Sequence, residues 1–70
     1  MNELIRTETI ALNIHRLRTL NHLSQMELGE RLGYSTRQVR RLETEGTSSL
    51  EVVNRIAIAF GVSTVDILFR

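Results

Sequence analysis

Residues Leu23 to Glu43 read LSQMELGERLGYSTRQVRRLE, and this stretch decides the fold. Two serines in it are each followed three residues later by a side chain able to reach back, Ser24 by Glu27 and Ser35 by Gln38. A serine hydroxyl at a helix start accepts from a backbone N–H that has no partner within the helix. The acid or amide then closes a reciprocal bond to the cap residue's own N–H. Gly33 lies between the two starts, where a left-handed residue can end the first helix without the steric cost of a side chain. The spacing predicts a short helix, a tight turn and a second short helix over residues 24–44.

Working outward, the 70 residues suit one small domain, 1–70, with residues 1–9 as a candidate N-terminal extension. The hydrophobic share of 41% is enough to fold, but a chain this short buries only a modest core. There is no cysteine and no proline, so stability must come from helix packing rather than from disulfides or thiolate metal sites. His15 and His22 are not spaced with carboxylates as metal ligands, so no metal and no cofactor are expected. The chain has no glycine-rich phosphate loop, no pairing of nucleophile and base, and too little length to enclose a pocket. An enzyme is not expected. No apolar run approaches the roughly 20 residues of a membrane span, and the N-terminus lacks the pattern of a secretion signal. The expected location is cytoplasmic.

Helical periodicity continues on both sides of the central stretch. Ile10, Ile14 and Leu17, joined by Ala11, recur at helical spacing over 10–20, with Asn13, Arg16 and Thr19 on other faces. This first helix has a candidate earlier start near Asn2, and Asn21-His22 is the turn that follows it. The second helix is expected over 25–32, burying Leu28, Leu32 and part of Met26. The third is expected over 36–44, with Val39 and Leu42 inward. Ser48 with Glu51 is the third cap signal, opening a helix with Leu50, Val53, Ile56, Ala57 and Phe60 as its buried stripe and Gly61 at its end. Ser63 with Asp66 opens a last short helix reaching about Phe69. The predicted architecture is all-α, a bundle of five short helices.

Net charge is only +1, but all nine basic residues are arginine, and three of them fall between Arg37 and Arg41. With Val39 and Leu42 turned inward, Arg37, Arg40, Arg41 and Thr44 share the outer face of the third helix. Arg37 and Arg41 are i,i+4 neighbours, and like charges at that spacing cost roughly 0.2–0.5 kcal/mol. A polyanionic partner reverses the sign of that term. The bland alternative is a solvated charged face with Arg41 paired to Glu45. Arginine suits base reading because its planar fork donates two parallel hydrogen bonds to O6 and N7 of guanine. These features point to double-stranded DNA as the partner.

The residues Leu23-Ser-Gln-x-x-Leu-Gly, followed by Leu32-Gly-Tyr-Ser-x-x-x-Val-x-x-Leu-Glu, resemble the phage-repressor and Cro-like (Xre) helix-turn-helix domain. The resemblance runs from about Ile10 to Phe69. It implies a lambda-repressor-like fold and a transcriptional regulator, with repression as the expected sign. By this resemblance Thr36, Arg37 and Arg41 match base-reading positions, while Arg40 and Thr44 are better placed for the DNA backbone. Gln25 matches a residue that touches phosphate and steadies the start of the reading helix. Ser35 is a cap first and a phosphate contact second. Tyr34 either packs its ring over the turn or extends its hydroxyl to a phosphate. Arg18 and Glu43 match an ion pair joining the first and third helices. Gly29 stands where alanine is usual, and a small residue there lets the third helix approach. The chain departs from the family pattern at Glu45, where glycine is usual; here Gly46 follows instead. An antitoxin with a toxin partner, and a control protein of a restriction-modification system, are rival readings on the same fold.

One reading helix makes too few contacts for a typical specific affinity of about 10⁻⁸–10⁻¹¹ M. A homodimer on a palindromic operator is therefore expected. Val62, Val65, Leu68 and Phe69 are the expected dimer surface, with Leu4 and Ile5 as the alternative. The competing assignment is that these residues cover the monomer's own core.

Overall fold

Five helices follow one another in the computed structural model, which describes residues 5–69. They are α1 (Thr7–Leu20), α2 (Gln25–Leu32), α3 (Thr36–Glu45), α4 (Leu50–Phe60) and α5 (Val65–Leu68). Helix α3 packs on both α1 and α2, α5 lies against α1 and α4, and α4 also meets α2. The expected all-α bundle is the observed one. Leu4, and the candidate start near Asn2, lie outside the described residues, but α1 itself begins at Thr7 after an extended Arg6.

Both predicted capping boxes form. Glu27 N–H donates to Ser24 Oγ at 3.0 Å and Ser24 N–H to Glu27 Oε1 at 2.7 Å. The matching pair at α3 joins Gln38 N–H to Ser35 Oγ at 3.1 Å and Ser35 N–H to Gln38 Oε1 at 2.7 Å. Hydrogen bonds from Ser24 hold the exposed Glu27 carboxyl below its ordinary range. Gly33 ends α2 in the left-handed region, at φ 77° and ψ 29°. The chain then turns back so closely that a Cβ on Gly29 would sit 2.5 Å from the Tyr34 carbonyl oxygen and 3.4 Å from a Val39 methyl. The small residue thus admits the turn itself, and α3 behind it.

Helix α3 runs one residue further than expected, to Glu45, and Gly46 closes it with its N–H donating to the Leu42 carbonyl at 3.0 Å. Gly46 adopts φ 75° and ψ −158°, and a Cβ there would stand 2.1 Å from the Thr7 carbonyl oxygen. The displaced glycine is therefore where the end of α3 crosses the start of α1.

Helix α4 corrects the sequence reading. Its cap is Ser49, not Ser48: Ser49 Oγ accepts from Val52 N–H at 3.2 Å, while Ser49 N–H donates to Thr47 Oγ1 at 3.1 Å. The Thr47 hydroxyl holds the loop for one further residue, so Leu50 becomes the first helical position. Leu50 then points away from the bundle and is 67% exposed, while Val53, Ile56 and Ala57 are buried. Before α5 half of the expected box is present, with Asp66 accepting from the Ser63 N–H at 3.0 Å. Thr64, already helical in its torsions, is the residue preceding α5.

The core gathers Ile10, Ile14, Leu28, Leu32, Val39, Val53, Ile56, Ala57 and Ile67. Met26, expected to be partly buried, is 60% exposed because α2 turns Leu28 and Leu32 inward instead. Asn13, assigned to an outer face, is buried. Its amide donates to the carbonyls of Ile67 at 2.9 Å and Phe69 at 3.3 Å, and its oxygen accepts from Arg16 at 3.3 Å. The last turn of α5 leaves carbonyls without helical donors, and Asn13 supplies them. Asn13 is three residues from Ile10 and four from Leu17, so its place on the buried stripe was visible in the spacing.

Candidate nucleic-acid interface

Helix α3 is anchored on one side and open on the other. Val39 is fully buried and Leu42 half-buried, whereas Arg37, Gln38, Arg40, Arg41 and Thr44 are exposed and Thr36 is half-buried. The side chains expected on the outer face of α3 are thus brought together on one strip of surface. Within it they differ. Arg41 Nη2 donates to Glu45 Oε1 at 3.3 Å, so the pairing named above as the bland alternative is present. Arg37 and Arg40 make no ion pair among the described residues. Thr44 turns its hydroxyl onto its own helix, donating to the Arg40 carbonyl at 2.9 Å.

The buried side of α3 is held by an ionic cluster. Arg18 donates to both carboxylate oxygens of Glu43, through Nε to Oε2 and through Nη2 to Oε1 at 3.0 Å. Arg18 Nη1 also donates to the Leu23 carbonyl at 2.8 Å, tying in the chain just before α2. The Glu43 side chain is only 4% exposed and that of Arg18 13%. Burial pushes the Glu43 carboxyl up, but hydrogen bonds from Arg18, His15 and Gln25, with the charge of Arg18, outweigh it and hold the group below the usual carboxylate range. The bond to Glu43 likewise raises Arg18, against the effect of its own burial.

Two members of this cluster differ from the sequence reading. Gln25 Nε2 donates to Glu43 Oε1 at 3.2 Å, so its tie to α3 lies near the helix end rather than at Thr36. His15, given no role in the sequence beyond its lack of metal-ligand spacing, is half exposed yet places Nδ1 at 3.1 Å from Glu43 Oε1. His15 precedes Arg18 by three residues on α1, and that shared face was the available signal.

The turn between α2 and α3 is packed rather than loose. Tyr34 lays its ring against the core, and the Arg55 guanidinium carbon sits 5.8 Å from the ring centroid. Arg55 was not singled out from sequence, and no local spacing links α4 to the turn. Tyr34, Gln38, Arg41, Leu42, Glu45, Gly46 and Val52 line a groove of about 330 Å³ beside α3. Ser35 is exposed at the head of α3, its hydroxyl engaged as the cap. Among the described residues no group of histidine and acidic side chains could hold a metal ion, and no helix is long and apolar enough to cross a membrane.

Two short helices, each opened by a capping box, with a glycine turn between them and an open arginine face on the second, define a helix-turn-helix protein. The helix-turn-helix family HTH_3 matches residues 14–67, and the chain belongs to it, in keeping with the Xre-type resemblance of its sequence. No curated protein sequence matches the chain. Among solved structures it is similar to a hypothetical transcription factor, NHTF, from Neisseria, with a TM-score of 0.84 and 24% identity over 99% of this chain and 80% of that one. It is also similar to the restriction-modification controller protein C.AhdI from Aeromonas hydrophila, with a TM-score of 0.78 and 22% identity over 87% of this chain and 94% of that one. A third likeness is to FeII HppE in complex with substrate, at a TM-score of 0.81 and 22% identity, but 89% of this chain is matched to only 36% of that one. At these identities the likenesses establish the fold.

Proposed function

We propose that the protein is a sequence-specific, double-stranded DNA-binding transcriptional regulator, acting as a repressor and reading the major groove with α3. One observation carries this reading: α3 is locked to the bundle through Val39, Leu42 and Glu43 while Arg37, Arg40 and Arg41 stand exposed along its other side. Arginine on the open face of the second helix of a helix-turn-helix is the arrangement that enters a major groove. In this reading Thr36, Arg37 and Arg41 meet base edges. Arg40, Thr44, Ser35 and Tyr34 face backbone, and Gln25 adds a phosphate contact through the amide proton that Glu43 leaves free. The protein is not an enzyme, uses no cofactor and works in the cytoplasm, where its DNA lies. Residues 1–70 act as one domain.

The protein binds as a symmetric homodimer on a palindrome, its two reading helices about one DNA turn, roughly 34 Å, apart. Val65 and Phe69 support a C-terminal dimer surface, being 56% and 38% exposed on and just after α5. Val62 and Leu68 are half-buried against the core and contribute less. Ile5, exposed to 39%, is the described residue of the N-terminal alternative. A second reading, control of a restriction-modification system, is favoured by the likeness to C.AhdI over nearly that protein's whole length. A restriction gene beside this one would distinguish it. Selection of bound duplexes from a random pool tests the main reading: enrichment of a palindrome with half-sites one turn apart is expected, and no enriched sequence would overturn it.

A further inference from the structure

Glu45 is poorly placed for the stability of its own helix. It sits in the last turn of α3, which carries no basic residue, so its charge faces the negative end of the helix dipole. Its pairing with Arg41 has the base N-terminal to the acid, the weaker of the two i,i+4 orders. Both side chains are well exposed, at 72% and 64%, and such pairs contribute little to folding. Yet the carboxylate holds one corner of the Arg41 guanidinium, at Nη2, and both residues rim the groove walled by Leu42 and Val52. A guanidinium has five N–H donors in a rigid fork. One bond to Glu45 leaves a two-donor edge free to face a guanine.

We propose that Glu45 is a positioning residue that orients Arg41 for base reading and, by its charge, weakens the grip of α3 on arbitrary phosphate. This rests on the reading of α3 as the DNA-reading helix. An ordered guanidinium loses less rotamer freedom on meeting its base. A carboxylate beside it repels the charged phosphates, a penalty that the neutral edge of a guanine does not incur. Glu45 would then set specificity without touching DNA.

The test is selection from a random duplex pool with the parent protein, E45A, E45Q, R41A and the R41A E45A double variant, read base pair by base pair. R41A should flatten one position of each half-site, by about 5- to 150-fold in preference, the equivalent of a bidentate contact of about 1–3 kcal/mol. E45A should blunt that same position by about three- to tenfold, leave the position read by Arg37 sharp, and tighten binding to a scrambled duplex about threefold. E45Q, which keeps an acceptor without the charge, should retain part of the preference. The double variant should match R41A at that position. Thermal unfolding of E45A should be unchanged or slightly improved, which a helix-stabilising role would not allow. A sharp parent profile with an unaltered Arg41 position in E45A, or with every position weakened alike, overturns the role of Glu45. A parent that enriches nothing overturns the DNA reading beneath it.

Discussion

Replacing Arg18 with alanine removes the centre of the cluster that joins α1, α2 and α3. Its two bonds to the Glu43 carboxylate and one to the Leu23 carbonyl go with it, as does the 3.3 Å contact of its Nη2 with His15 Nδ1. Glu43, whose side chain is 4% exposed, would retain only Gln25 and the half-exposed His15. Breaking one side of a buried ion pair costs about 3–5 kcal/mol, and the two surviving donors place the expected loss near the lower end, about 3 kcal/mol. His15→Ala, by contrast, should cost less than about 1 kcal/mol, because Arg18 and Gln25 still satisfy the carboxylate. Replacing both Arg18 and Glu43 by apolar residues of similar size should recover much of the Arg18→Ala loss, since no unpaired charge is then left buried. The pH dependence has a definite sign. Glu43 is held below its ordinary range in the folded protein, so its stabilisation is fully present above the unfolded glutamate pKa of about 4.3 and is lost as pH falls through the lower, folded value. Glu43→Gln should therefore flatten the acid limb of the stability profile; the part that remains includes Glu27, which is depressed in the same direction. Urea denaturation at intervals from pH 7 to pH 3 measures both effects. An Arg18→Ala variant within about 0.5 kcal/mol of the parent at pH 7 would refute the reasoning, because surface substitutions lie in that range.

Gly46→Ala should destabilise severely, since the Cβ would stand 2.1 Å from the Thr7 carbonyl in a backbone region open essentially to glycine alone; the strain is about 1–3 kcal/mol before the clash is counted. Gly33→Ala, with nothing within 4 Å of the added Cβ, should cost only about 1–2 kcal/mol, and thermal melts of the pair compare them directly. Asn13→Ala should cost about 1–3 kcal/mol by stripping the donor from the Ile67 and Phe69 carbonyls, with amide exchange in α5 accelerating first. Arg37→Ala and Arg41→Ala should each lose about 1–3 kcal/mol on the preferred duplex while scrambled DNA is less affected, and Arg40→Ala should weaken both alike; fluorescence titration at fixed salt reads this, and equal losses on both duplexes for all three would contradict the base-reading assignment. Sedimentation with a palindromic duplex should find two protein copies per full site, whereas one copy, with half-site DNA bound equally well, would exclude the dimer.

Much of the fold was legible because its signals are local. The boxes Ser24–Glu27 and Ser35–Gln38, the left-handed Gly33 and the inward spacing of Val39 and Leu42 all act within one or two turns, so α2, the turn and the start of α3 could be placed from sequence. The open arginine face of α3 followed from the same helical geometry. The pairing of Arg18 with Glu43 came from resemblance, since 25 residues separate them and no local rule joins them. Tertiary structure decided the rest. A cap at Ser48 and one at Ser49 are nearly equal in local terms, and the Thr47 hydroxyl settles the matter for Ser49. Spacing puts Asn13 on the buried stripe, but its partners, the Ile67 and Phe69 carbonyls, reach it only because α5 folds across α1. Gln25 and His15 converge on Glu43 only once three helices are assembled. Gly46 is obligatory because the Thr7 carbonyl lies where a side chain would go. Local hydrogen bonding and helical periodicity determine elements within a few residues; which distant polar groups meet, and which glycine cannot be replaced, depends on how those elements cross.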